Sequence, residues 1–254
     1  MKIALIQAEL IWENPSENRH LFEQKIDAVS ADTDLIILPE MFTTGFSMDP
    51  KPIAETMAGE TVQWMQKMAF EKKCAVTGSV VIEENEKYYN RLLFVYPDKK
   101  IAFYDKRHLF SLAGEHHKYT AGNKKLIVEY RNFKICLLIC YDLRFPVFSR
   151  NTSDYYLLIF VANWPITRIS AWDALLKSRA IENMSYTVGV NRVGADANNY
   201  QYNGHSQAVD FMGHYVLEPQ QDSGIFYVEL DKQKQVEARQ KFGFLNDADA
   251  FELH

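Results

Sequence analysis

The feature that most limits how this chain can fold is a set of short, unbroken apolar runs. DLIIL at 34–38, FKICLLI at 133–139 and YYLLIFVA at 155–162 have strand length and no polar alternation. A strand with one wet face alternates apolar and polar side chains; a strand without alternation is covered on both faces. The intervening segments supply the cover. Residues 15–30 open on Pro15-Ser16 and set Leu21, Phe22, Ile26 and Val29 at helical spacing. Val62, Met65, Met68 and Ala69 do the same over 61–73, and Trp172, Leu175, Leu176 and Ile181 over 168–183. Further strands are expected at 2–7, 74–81, 88–96, 100–106, 126–130, 185–191, 206–211, 215–218 and 224–230, and a charged helix near 231–240. Turns fall at Pro97-Asp98, Arg131-Asn132 and Met212-Gly213. Strands interleaved with helices make an α/β chain, and hairpins beside crossovers make its sheets mixed. No Gly/Ser linker or repeat intervenes, so residues 1–254 read as one domain with an apolar tail at about 241–254.

Charge and composition exclude several functions. The net charge is -5 and no Lys/Arg-rich block occurs, which argues against nucleic acid or an anionic membrane as partner. The opening MKIALIQAEL is interrupted by Gln7 and Glu9 and reads as a strand rather than a signal peptide. No run approaches the roughly 18 apolar residues of a membrane helix. A cytoplasmic location is therefore expected. Three cysteines, an odd count, disfavour a disulfide framework.

Glu40, Lys106 and Cys140 each sit just beyond an apolar strand, where α/β sheets place their sites. Cys140 is the best nucleophile. ICYDLRFP reads as strand, sharp turn and helix, with Pro146 near the first helical position; backbone N–H groups there favour thiolate. Glu40 in a dry pocket would serve as base. Lys106 would supply positive charge to an oxyanion. Taken singly, each has a plain alternative: a buried apolar thiol, a loop carboxylate, a solvated lysine. Cys74 and Cys136, at or inside strands, fit the first alternative. His108, His116 and His117 with Glu115 match no common zinc spacing, so no metal is expected. No GxGxxG or GxxxxGK[ST] pattern supports a nucleotide.

LPEMF at 38–42, YDKRHLF at 104–110 and CYDLRFP at 140–146 resemble, in order, the three signatures of the nitrilase superfamily of carbon–nitrogen hydrolases. VANWP at 161–165 and RAIEN at 179–183 extend the resemblance along the chain. PEMFTTGF, YDLRFPVFSRN and the NDADAF tail are most similar to bacterial omega-amidases of the YafV type.

The resemblance implies a four-layer α-β-β-α sandwich of two mixed six-stranded sheets, and often a homodimer. It implies Cys140 as thioester nucleophile and Glu40 as base and then acid. Lys106 and the Tyr141 N–H would be the oxyanion donors. Glu115, seven residues before Gly122, would orient Lys106 or the hydrolytic water. No metal or organic cofactor is needed for that route. The substrate would be a small dicarboxylate monoamide such as 2-oxoglutaramate or 2-oxosuccinamate. Arg144, Arg168 and His117 are candidates for its far carboxylate. Phe42, Phe46 and Trp164 are candidates for the pocket wall. A carbamoylase, a nitrilase or a non-catalytic binding protein of the same fold stays open as an alternative.

Overall fold

The computed structural model describes residues 1–253. The chain opens with β1 (Lys2–Gln7), α1 (Pro15–Asp27), β2 (Leu35–Ile37), α2 (Glu60–Lys72), β3 (Ala75–Glu84), β4 (Lys87–Val95) and β5 (Ile101–Asp105). It continues through β6 (Leu126–Tyr130), β7 (Phe133–Ile139), α3 (Pro146–Ser149), β8 (Leu157–Val161), α4 (Ile169–Glu182) and β9 (Tyr186–Val190). β10 (Val193–Ala195), β11 (Gln201–Asn203), β12 (Ser206–Val209), β13 (Tyr215–Gln220), β14 (Gly224–Glu229) and α5 (Lys232–Phe242) complete it.

Two six-stranded sheets result, in the orders β14-β1-β2-β3-β4-β5 and β6-β7-β8-β9-β12-β13. The two share one pairing pattern. In the first, β1, β2 and β3 run parallel and their outer neighbours antiparallel; in the second, β7, β8 and β9 do the same. Both sheets are mixed, as expected.

Side-chain alternation sorts the first sheet into two faces. Ile3, Leu5, Leu35, Ile37, Leu92 and Phe94 join the core shared with the second sheet. Ala4, Ile6, Ile36, Leu38, Leu93 and Val95 pack instead with Phe22 and Ile26 of α1 and Val62, Met65 and Met68 of α2. On the second sheet, Trp172 and Leu176 of α4 join the same core as β7, β8 and β9. The order is helix, sheet, sheet, helix.

The helix ends follow their sequences. Asn14 caps α1 through its side chain, with Pro15 at the first position; Asp231 caps α5, and Gly243 ends it at φ 64°. The expected face of α4 is partly corrected. Trp172 and Leu176 are buried, but Ile181 is 49% exposed. Arg179 takes an inward place instead, because its guanidinium caps the Leu143 carbonyl at 2.7 Å. The β10–β11 ribbon has no apolar run and was not among the expected strands.

Candidate active site

The C-terminal ends of the parallel strands meet along one edge, and each reactive side chain is fixed there by its main chain. Glu40 lies in a turn after β2 that β3 holds. The Met41 N–H donates to Ser79 Oγ at 2.8 Å and the Phe42 N–H to the Ser79 carbonyl at 3.2 Å. Lys106 follows β5; its N–H donates to the Asn90 carbonyl at 3.0 Å and its carbonyl accepts from Gly122 at 3.0 Å. A Cβ on Gly122 would lie 2.2 Å from the Asp105 carbonyl oxygen, so only glycine lets the chain cross there.

Cys140 begins a 3-10 turn, Cys140–Arg144, with φ 43°. That left-handed value is strained for a side-chain-bearing residue, and Asp142 holds it in place. Its buried carboxylate accepts from Ile139 N at 3.0 Å, Tyr104 OH at 2.7 Å and His108 N at 3.0 Å, and pairs with His108 Nδ1 at 2.7 Å. The His108 ring stacks on Phe145 at 3.8 Å. Cys140 and Tyr141 are the first positions of the turn, so their N–H groups have no acceptor within it.

Glu40, Lys106 and Glu115 are fully buried together. Lys106 Nζ lies 2.9 Å from Glu40 Oε1 and 3.1 and 3.0 Å from the two Glu115 oxygens. Glu40 Oε1 also accepts from Asn90 Nδ2 at 2.8 Å, and Oε2 from the Asn163 N–H at 2.8 Å. Asn163 Nδ2 donates to the Glu40 carbonyl at 2.7 Å. Glu115 Oε2 accepts from the Phe110 N–H at 2.5 Å.

One ammonium thus faces two carboxylates. Burial pushes Lys106 down, but Glu115 and Glu40 outweigh it and hold the ammonium above the ordinary lysine value. Burial, with the Glu40 charge, raises the Glu115 carboxyl despite Lys106.

Cys140 is partly open to solvent, with Sγ 4.0 Å from the Asn163 carbonyl. Burial first and Glu40 second push its thiol well above the ordinary range, and Lys106 offsets only part of this. The expected pull of the turn towards thiolate is opposed here by burial and by the Glu40 charge. The following helix starts only at Pro146, and the nearest full charges are dominated by carboxylate. Glu40 is the carboxylate in place to accept a proton from such a thiol. Burial raises Cys74 to about 11 and Cys136 to about 12, and neither lines the cavity.

The thiol and the ammonium face a cavity of about 600 Å³. Phe46, Phe110, Tyr141, Trp164 and Tyr202 give it aromatic walls, and Arg144 and Arg168 line it too. The Arg144 guanidinium lies over Trp164 at 5.0 Å and that of Arg168 over Phe110 at 5.1 Å. Among the described residues no carboxylate forms an ion pair with either arginine. Glu13 and Asp196, also at the wall, already accept from Ser47 Oγ and the Tyr202 hydroxyl.

Nine of the eleven residues singled out in the sequence come together here: Glu40, Phe46, Lys106, Glu115, Cys140, Tyr141, Arg144, Trp164 and Arg168. Two do not. Phe42 is fully buried in the helix-side core, edge-on to Phe22 at 5.3 Å and beside Trp64 at 5.8 Å. Phe46 takes the wall position, its ring 5.0 Å from Lys106 Nζ. His117 is exposed, lies tilted against His116 at 3.8 Å and does not line the cavity; the 3-10 turn Glu115–His117 turns Glu115 inward and the histidines out. Sequence reasoning did not single out Asn90, Asp142 or Asn163. Asp142 and Asn163 lie inside CYDLRFP and VANWP, and Asn90 inside the strand expected at 88–96, but asparagine and aspartate give no signal until their partners are known.

The carbon–nitrogen hydrolase family model matches residues 2–240. The chain is 42% identical to the omega-amidase YafV of Escherichia coli strain K12 over all of this chain and 98% of that one. It is 33% identical to the 2-oxoglutaramate amidase of Bacillus subtilis, over 96% of each. A CN-hydrolase superfamily protein of Xanthomonas campestris, solved with an arsenic adduct in its active site, superposes with a TM-score of 0.98 at 39% identity. That match covers 100% of this chain and 99% of the other. Matching along its length in sequence and in fold, the chain belongs to the carbon–nitrogen hydrolase family of the nitrilase superfamily.

Proposed function

We propose that the protein is an omega-amidase that releases ammonia from small dicarboxylate monoamides such as 2-oxoglutaramate and 2-oxosuccinamate. The observation that carries this is the pairing of two features in one cavity: a thiol backed by the Glu40–Lys106–Glu115 cluster, and two cavity-lining guanidiniums with no carboxylate partner among the described residues. The full-length likeness to an omega-amidase and a 2-oxoglutaramate amidase supports the same substrate class.

Glu40 takes the thiol proton as Cys140 Sγ attacks the amide carbon. Lys106 Nζ and the Tyr141 N–H hold the tetrahedral oxyanion; one such donor is worth roughly 3 kcal/mol of barrier. Glu40 returns the proton to the departing nitrogen, and ammonia leaves a thioester. Water, deprotonated by Glu40, attacks the thioester and releases the dicarboxylate and the thiol. Glu115 keeps Lys106 directed at the oxyanion. Arg144 and Arg168 receive the far carboxylate, and Trp164 and Phe46 hold the short carbon chain between them. Nothing in these steps calls for a cofactor.

A panel of 2-oxoglutaramate, 2-oxosuccinamate, a carbamoyl amino acid and an aliphatic nitrile, read by ammonia release, tests the substrate class. The two monoamides are expected to give the highest kcat/KM. A preference for the carbamoyl compound or the nitrile would overturn the assignment. The same proposal places the protein in the cytoplasm, as a homodimer.

A further inference from the structure

Asn90 is hard to account for as a structural residue. It lies in β4, paired across the sheet with Val81 of β3, and is fully buried. Its neighbours along the strand, Arg91 to Val95, are buried too. An asparagine there must desolvate both ends of its amide, and the strand could carry an apolar side chain of similar size without that cost. Nδ2 donates to Glu40 Oε1 at 2.8 Å, while Oδ1 has no hydrogen-bond partner among the described residues. A buried group left half-satisfied points to a function for the half that is used.

That half touches the proposed base, and the main chain touches the proposed oxyanion donor. The Asn90 carbonyl accepts from Lys106 N at 3.0 Å. The next residue clamps the same crossing: Arg91 pairs with Asp105 in register, and its Nε lies 2.6 Å from Asp105 Oδ1. One residue of β4 thus ties down Glu40 through its side chain and Lys106 through its backbone.

The carboxylate needs such a tie. The last torsion of a glutamate is broad, so hydrogen bonds set the plane of the group. Lys106 fixes Oε1 but also serves Glu115, and the Asn163 N–H fixes Oε2. The charged and titratable groups facing the carboxylate are Lys106, Glu115, Cys140 and, further off, Tyr119, whose hydroxyl donates to the Ser47 carbonyl. Among these Asn90 adds a donor without adding charge. It holds one oxygen of the carboxylate and leaves the two-to-one charge balance unchanged.

We infer that Asn90 is a positioning residue for the reaction: its amide N–H holds Glu40 Oε1 in place, so that Oε2 is presented to the Cys140 thiol. The inference rests on the reading of Glu40 as the base, and its test does not need the natural substrate. The measurement is the pH profile of Cys140 alkylation by iodoacetamide, followed on the Cys140 peptide by mass spectrometry, in the full chain and in Asn90→Leu. Losing one hydrogen bond to a charged group should move the acidic limb of the variant upward by about one pH unit. Its melting temperature should change little, because relief of the partnerless Oδ1 and loss of the hydrogen bond to the buried Glu40 carboxylate oppose each other. On any amide the wild type turns over, kcat should fall by about tenfold or more, with KM within about twofold. An acidic limb that stays in place overturns the inference, whatever happens to the rate, since a merely structural residue would slow the enzyme without moving the limb. If Asn90→Leu does not fold, Asn90→Asp keeps the shape; a second carboxylate beside Glu40 should also move the limb upward, and an unmoved limb again overturns it. Failure of the wild type to hydrolyse any of the amides would count against the proposed function and leave the alkylation result to decide on Asn90.

Discussion

At the scale of single residues, the site is an exercise in buried charge. Lys106 is the one cation among two fully enclosed carboxylates, Glu40 and Glu115. Removing one partner of such a cluster leaves an uncompensated buried charge, which typically costs about 3–5 kcal/mol. Lys106→Met should therefore abolish turnover and lower stability at neutral pH. The sign of the pH dependence follows from the carboxyls. Glu115 is already raised by burial and by Glu40, and without the ammonium it rises further. A carboxyl with a raised folded-state value favours folding most below its unfolded value and progressively less as pH climbs through the folded one. The melting-temperature deficit of Lys106→Met should thus shrink between pH 8 and pH 5. A deficit that grows on acidification would contradict the electrostatic account.

At the scale of elements, the sequence carried the strands well because their burial left no ambiguity. DLIIL, FKICLLI and LLIFV have no polar face to misread, and β2, β7 and β8 lie within those runs. The short β10–β11 ribbon has no such signature, and its outer residues Gln201 and Asn203 read as loop. The Cys140 elbow was legible as strand, turn and helix, but not its electrostatics. A thiol's environment depends on which charges fold back onto it. Glu40 comes from another sheet, a hundred residues upstream. Phe42 shows the same limit: LPEMF marks the motif, but the turn at Met41, φ 42°, sends Phe42 into the helix layer and leaves the cavity wall to Phe46. Trp164, Arg144 and Arg168 were found because each adjoins a strand end or helix start at the same sheet edge.

At the scale of the whole molecule, the two sheets share one pairing pattern although no repeat is visible in the sequence. Pairing depends on which segments are strands and how long their connections are, and neither requires side chains to recur. The site draws on both halves: Glu40 and Lys106 follow strands of the first sheet, Cys140 and Asn163 strands of the second. The sandwich must therefore close before any chemistry is assembled. The end of α5 and the tail beyond it leave apolar surface uncovered. Phe242 is 39% exposed and Phe244 55%, stacked at 5.3 Å, and Phe251 and Leu253 are exposed as well. Such a patch suits the proposed homodimer contact. Light scattering should give a dimer mass, with Phe244→Lys shifting it towards the monomer; a monomer for the unaltered chain would contradict the proposal.

The central claim is that Cys140 carries an amide's acyl group. The most direct measurement is ammonia release from 2-oxoglutaramate by the wild type beside Cys140→Ala, with circular dichroism to show that both are folded. The account predicts steady turnover by the wild type and a loss of at least about a thousandfold in the folded variant, since nucleophile and base act as a unit. Undiminished turnover by folded Cys140→Ala would contradict it.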